Sequence, residues 1–151
     1  MMRKSVLSLI LSAALVVPAT GALAHEPGTY ESPIVEQRVK RFKQSGGDIQ
    51  AIFKKHMGAG NFAAIEEAAA RMAAWGAEMP DAFPAGSKSV GAEPAIWENF
   101  SDFENKAEAF AKAAAKLKTA AASGNAGAVK KAAQAVGGTC KSCHQSYRIK
   151  H

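Results

Sequence analysis

The residues best suited to chemistry lie near the C-terminus, where the sequence reads Cys140-Lys141-Ser142-Cys143-His144. On a helix, two thiols three positions apart share one face, so each can add to one vinyl group of a porphyrin. The adjacent imidazole can then ligate the porphyrin iron. Cys-x-x-Cys-His is the attachment signature of c-type haem. We therefore predict one covalently bound haem c, held by Cys140 and Cys143, with His144 as the axial iron ligand.

Three other uses of these residues stay open at this point. A structural zinc site needs four ligands, and the remaining histidines, His25, His56 and His151, do not lie at zinc-finger spacing. A redox Cys-x-x-Cys normally follows a strand and opens a helix, whereas this pair comes late in a helical segment. A plain disulfide would leave His144 without a role. Haem attachment is the interpretation that uses both thiols and the imidazole.

The N-terminus has the pattern of an export signal. A basic start precedes an apolar run from Val6 to Val17, and Ala22-Leu23-Ala24 offers small residues at a cleavage site. The run is too short to span a bilayer comfortably, and a membrane anchor is the alternative. We predict a cleaved signal peptide at residues 1–24 and a single mature domain at residues 25–151. The mature protein would be periplasmic in a Gram-negative cell, without a membrane segment.

The chain carries a formal net charge of +6, which falls to +4 when Arg3 and Lys4 leave with the signal. Many lysines fall on the outward faces of predicted helices, and aromatic residues are not interleaved with them as in a nucleic-acid platform. We therefore expect no nucleic-acid partner. A basic surface of this kind could dock an acidic redox partner protein.

Apolar residues recur every three or four positions through the mature chain, which predicts four amphipathic helices. The first residues or caps of these helices are expected at Pro33, Asn61, Pro94 and Asn125. No stretch alternates with period two, so no sheet is expected. Two short links and one longer loop, from Asp81 to Glu93, indicate an all-α antiparallel four-helix bundle with the covalently attached haem inside it.

Three sequence features occur together in one known family. The haem motif lies near the C-terminus; the first helix reads Arg38-Val39-Lys40-Arg41-Phe42-Lys43; and the third opens with Glu93-Pro94-Ala95-Ile96-Trp97. The latter two are similar to the family patterns Arg-x-x-x-(Met/Leu/Phe)-Lys and Pro-x-Ile-Trp. Across the whole mature chain, the sequence resembles the class II c-type cytochromes and, within them, cytochrome c-prime.

The resemblance gives a role to Phe42, four residues after Arg38. Relatives with methionine at that position have a sixth iron ligand and carry electrons on low-spin haem, whereas in cytochrome c-prime the residue is apolar. Phe42 therefore implies five-coordinate iron, with His144 as the sole protein ligand, in a protein that binds NO and often CO. The resemblance also implies that Arg38 lies near a haem propionate and that Arg148 lies near the ligand histidine.

We accordingly expect an NO or CO carrier, scavenger or sensor that can also take part in electron transfer. The alternative is a low-spin, six-coordinate electron carrier of the same class. We do not expect an enzyme such as a peroxidase, because Phe42 and its apolar neighbours lack the polar groups that help to cleave an O–O bond. The resemblance further implies homodimerisation through the first two helices.

Overall fold

The computed structural model describes residues 30–149, so the predicted signal peptide lies outside the described residues. The chain forms four long helices and one short helix. Their bounds are α1 Pro33–Ala51, α2 Phe62–Glu78, α3 Ala95–Glu98, α4 Phe100–Ala122 and α5 Ala126–Tyr147. The long helices α1, α2, α4 and α5 form a four-helix bundle, which confirms the predicted fold class.

The predicted caps of α2 and α5 are confirmed. The side-chain oxygen of Asn61 accepts a hydrogen bond from the backbone N–H of Ala64 at 3.2 Å, and that of Asn125 accepts one from Ala128 at 2.9 Å. Each bond satisfies a backbone donor that has no partner within its helix. Pro33 occupies the first position of α1, where its missing N–H costs nothing.

Two predicted helices contain irregularities that periodicity did not indicate. The first helix continues beyond Ala51 as a π-helical turn, Ile52–His56, in which the N–H of Met57 bonds to the carbonyl of Ile52 at 3.0 Å. The helix expected to run unbroken from Pro94 is interrupted at Asn99, where φ is −126° and ψ is 48°. The prediction of one continuous third helix was wrong.

The interruption at Asn99 separates two segments that are held by different neighbours. In α3, the indole N–H of Trp97 donates to the carbonyls of Phe83 and Pro84, both at 3.1 Å. The longer α4 instead packs along α2 and α5. Asparagine has a low helix propensity, because its short polar side chain can bond to nearby backbone groups in non-helical conformations. It is therefore well suited to this junction.

The bundle core is formed by small and branched side chains where α2 and α5 pack on α4. The closest approach is at Gly76 of α2, where an added Cβ would lie 2.8 Å from the backbone and Cβ of Ala111. Real Cβ atoms do not tolerate such a separation, so only glycine fits this crossing. Helix α1 packs less extensively on α2 than α4 does, and it makes little direct contact with α5.

The end of α5 is tied back to the loop before α3. The N–H of Glu93 donates to the carbonyl of Tyr147 at 3.1 Å, and that of Ile149 donates to Gly91 at 3.3 Å. These bonds form an isolated antiparallel bridge, and residues 30–149 contain no sheet, as predicted. Within the same residues, no helix combines the length and apolar character needed to cross a bilayer.

Candidate functional site

A cavity of about 560 Å³ lies between α1 and α5, within the range of ~300–1,000 Å³ usual for cofactor sites. Its wall contains all three residues of the predicted haem motif, Cys140, Cys143 and His144, together with Phe42 from α1 and Arg148. The fold therefore brings five of the six predicted site residues together. The sixth, Arg38, does not line the cavity.

The two cysteines face the cavity because they continue the buried stripe of α5. Val129, Ala133 and Val136 are buried on that helix, and Cys140 and Cys143 follow at the same three- and four-residue spacing. Both thiols are half-buried and form no disulfide. The stripe thus changes from filling the bundle core to lining the cavity one turn before the motif.

Burial shifts the pKa values of all three motif residues towards their neutral forms. It raises the pKa of the Cys140 thiol, and it raises that of Cys143 to about 11 although Lys106 opposes the change. A redox-active Cys-x-x-Cys has a lowered thiol pKa, so these cysteines lack its signature. Burial, helped by the charge of Arg148, lowers the pKa of His144. A neutral imidazole keeps the lone pair that ligates a metal.

Aromatic rings from three parts of the chain line the side of the cavity around Phe42. The Phe42 ring packs edge-on against Trp75 of α2 with centroids 5.2 Å apart, and it lies 6.3 Å from Phe83. Phe83 in turn packs on Phe103 at 4.8 Å. Such edge-to-face pairs fix ring positions, so Phe42 is part of a well-packed apolar wall.

Basic groups also line the cavity, namely Lys43, Lys106 and Arg148. Trp75 is only 3% exposed, and its indole N–H finds no hydrogen-bond partner among the described residues. A buried donor of this kind normally has an acceptor. An apolar interior combined with cationic side chains and a free N–H fits a flat apolar ring that carries carboxylates, as haem does.

Arg38 lies behind the cavity wall instead of within it. Its guanidinium is buried and hydrogen-bonds to Ala82, Ser87 and Ser89 in the loop that follows α2. It also lies over the ring of Phe83, 4.3 Å from the centroid. The expected position of Arg38 near a haem propionate stays a prediction.

Sequence reasoning missed several wall residues, among them Trp75, Met79, Phe83 and Tyr147. Met79 belongs to the apolar stripe of α2, whose register indicates a core residue. For Phe83 a signal existed, because it lies in the long loop from Asp81 to Glu93, and loops of this length are often functional. For Met79 none existed, since a residue at the end of a buried stripe can face either the core or a cavity.

A bundle whose paired cysteines and adjacent histidine line one apolar cavity defines a c-type haem protein. Residues 33–148 match the family model described as Cytochrome C', and the chain belongs to the cytochrome c' family. Cytochrome c-556 from Agrobacterium tumefaciens (strain II Chrys) is 37% identical over 119 residues, covering 77% of this chain and 97% of that protein. Cytochrome c' from Pararhodospirillum photometricum is 34% identical over 120 residues, covering 76% and 94%.

Solved structures agree with this assignment. A cytochrome c' described as having an unusual ligand-controlled dimer dissociation superposes with a TM-score of 0.71 at 35% identity, covering 78% of this chain and 95% of that one. The nitric oxide complex of a cytochrome c prime variant from Alcaligenes xylosoxidans gives 0.69 at 26% identity, covering 81% and 100%. Covalently attached haem c is the cofactor of this family and hence of this chain.

Proposed function

We propose that this protein binds NO or CO at a haem iron whose only protein ligand is His144. The observation that carries the proposal is the position of Phe42 in the cavity wall, packed between Trp75 and Phe83. A phenyl ring offers no lone pair to iron, and its packed neighbours limit the space beside it. Small diatomic ligands suit a site that is open but crowded.

The roles of the other residues follow from their chemistry. Cys140 and Cys143 would hold the haem by thioether bonds, and the neutral imidazole of His144 would ligate the iron. Arg148 lines the cavity beside the motif, and after burial its positive charge is a further cause that lowers the pKa of His144. The bound haem supplies an iron atom that accepts a gaseous ligand or an electron.

Relatives support ligand binding over catalysis. One structural neighbour is a nitric oxide complex, and another is described by its ligand-controlled dimer dissociation. The aromatic wall around Phe42 lacks the polar groups that an oxygen-activating enzyme needs. We propose binding rather than turnover, and homodimerisation through α1 and α2.

A second candidate function, electron transfer by six-coordinate haem, is favoured by one observation. Met79 lines the same cavity and is only 4% exposed, so its thioether is a potential sixth ligand. Curated relatives include proteins called cytochrome c-556 and cytochrome c-554 as well as cytochrome c'.

The two functions are separated by the spectrum of the reduced protein. We expect wild-type ferrous protein to be high-spin and to take up CO, and Phe42→Met to convert it to a low-spin form that binds CO more slowly, because a thioether then lies beside the iron. Met79→Leu is the matched control and should leave the wild-type spectrum unchanged. A low-spin wild-type spectrum that becomes high-spin in Met79→Leu would establish the electron-transfer alternative instead.

Export is proposed on the N-terminal pattern and the haem motif together, since the signal residues lie outside the described range. Mass spectrometry of the protein purified from its native host should give the mass of residues 25–151 plus one haem. A mass that retains residues 1–24 would overturn the cleavage proposal, and a polypeptide mass without haem would overturn attachment.

A further inference from the structure

Arg38 is a buried cation whose hydrogen-bond partners are all neutral. It is 1% exposed, and buried arginines are normally paired with a carboxylate. One terminal nitrogen donates to the Ala82 carbonyl at 3.1 Å and to the Ser87 hydroxyl at 2.8 Å. The other donates to the Ser87 carbonyl and, at 3.1 Å, to the Ser89 hydroxyl. All four terminal N–H groups are thus committed to one loop.

The two ends of this loop have other anchors, since Trp97 donates to the carbonyls of Phe83 and Pro84 and residues 147–149 at the end of α5 bond to Gly91 and Glu93, but its middle depends on Arg38. Among the described residues, the other hydrogen bonds made by residues 85–90 are internal to the loop, such as Ser87 N–H to Pro84 at 3.1 Å and Lys88 N–H to Gly86 at 2.9 Å. Val90, a large apolar residue, is 61% exposed. A segment with few buried contacts opens easily, so its position depends on the bonds from Arg38.

Phe83 transmits the position of this loop to the cavity. The Arg38 guanidinium lies over the Phe83 ring, which also contacts Phe42 and Phe103 and lines the cavity. A cation over an aromatic face is attractive, so the same side chain holds both the loop backbone and the ring. Displacement of the loop would move Phe83 away from Phe42.

We propose that Arg38 is a positioning residue that clamps residues 82–89 and, through Phe83, sets the access of small ligands to the iron. The effect on ligand access rests on the proposed gas-binding function, whereas the clamping of the loop by Arg38 does not. It also differs from the propionate role implied by the family resemblance, since the terminal nitrogens of Arg38 bond to Ala82, Ser87 and Ser89.

The first test measures CO association with the ferrous holoprotein. Arg38→Met and the double variant Ser87→Ala plus Ser89→Ala should both accelerate association several-fold, the double variant less, because each frees Phe83. Arg71→Met removes an arginine that pairs with Asp48 at the surface, and Leu117→Ala removes buried bulk remote from the cavity. Neither control should change the rate.

The second test measures loop mobility without relying on gas binding. Lys88 is exposed, so trypsin should cut the native holoprotein after it faster in both clamp variants than in the wild type or the two controls. Unchanged cleavage and unchanged CO association in Arg38→Met would overturn the clamp. So would a shift of haem potential in Arg38→Met with both readouts unchanged, which would indicate a propionate partner. Where wild-type protein takes up no CO, the proposed function fails, and cleavage at Lys88 alone decides the clamp.

Discussion

The two sides of this bundle are held together in different ways. On one side, α2 and α5 pack directly on α4 through small apolar residues, and Gly76 meets Ala111 with no room for a methyl group. On the other side, α1 faces α5 across the cavity. We refer to α2, α4 and α5 as the closed side and to α1 with the cavity wall as the open side.

The open side depends on polar and aromatic links. Helix α1 joins α2 through the surface ion pairs Arg41–Glu78 and Asp48–Arg71, at 3.2 and 2.9 Å. The exposed pair Arg41–Glu78 contributes roughly 0–1 kcal/mol, whereas Asp48 is only 15% exposed and accepts two hydrogen bonds from Arg71. Helix α1 also packs through Phe42 on Trp75 and through the hydrogen bonds of Arg38, but these contacts are fewer than those that hold α2 on α4. Because α1 faces α5 across the cavity, we expect bound haem to contribute more to the position of α1 than to that of α2 or α4.

The largest expected effect comes from removing the haem. In Cys140→Ala plus Cys143→Ala, which cannot attach haem, we expect the free energy of unfolding to fall by about 4 kcal/mol or more, the scale of losing a structural cofactor. Hydrogen exchange should show amides of α1 losing protection while those of α2 and α4 keep most of theirs. The wild-type holoprotein is the reference. Equal loss of protection in α1 and α4 would show that haem does not support α1 more than it supports the closed side.

An intermediate effect is expected on the closed side. Gly76→Ala places a Cβ where Ala111 already lies, and overpacking of this kind costs about 1–3 kcal/mol. The matched control is Gly47→Ala on α1, where nothing lies within 4 Å of the added Cβ. There alanine should raise stability by about 0.5–1 kcal/mol through helix propensity.

Chemical denaturation of the holoproteins measures both glycine variants. Opposite signs of the two changes in unfolding free energy would show that α2 is tightly packed at Gly76 whereas α1 has room for a methyl group at Gly47. A stabilising Gly76→Ala would show that the crossing of α2 and α4 can relax to accommodate a methyl group. Close packing at Gly76 would then not be required on the closed side.

Much of this architecture could be predicted from the sequence because it depends on local periodicity. The apolar stripes predicted four helices, and the caps Asn61 and Asn125 form the expected bonds. The motif predicted the cysteines and histidine of one cavity face, since three- and four-residue spacing already places them together. These features are determined by neighbours within one or two helical turns.

What could not be predicted depends on distant contacts. The break at Asn99 arises where Trp97 bonds to carbonyls of another loop, and Arg38 finds its partners 44 to 51 residues away in sequence. No stripe or spacing encodes such pairs. Met79 belongs to the buried core and also lines the cavity, and its register alone does not distinguish the two positions.

The smallest expected effect lies where the two sides meet, at Tyr147. Its hydroxyl donates to Asp102 of α4 at 2.6 Å, its ring packs on Phe103, and it also lines the cavity. Burial, with the Asp102 carboxylate as a further cause, raises the pKa of Tyr147 to about 12. The folded state therefore keeps the phenol proton at a pH where the unfolded chain, with a pKa of about 10, has lost it.

That difference makes the stabilising contribution of Tyr147 depend on pH in one direction. The contribution is complete below pH 10 and is lost as the pH rises through about 12, because the unfolded state binds fewer protons in that window. Tyr147→Phe should thus lower the free energy of unfolding by about 1 kcal/mol at pH 7, the usual value of such a hydrogen bond, and by less at each step above pH 10. Denaturant unfolding of wild type and variant across this range measures the difference. A constant gap between wild type and Tyr147→Phe up to pH 12 would mean that Tyr147 stabilises the contact between α5 and α4 by packing alone.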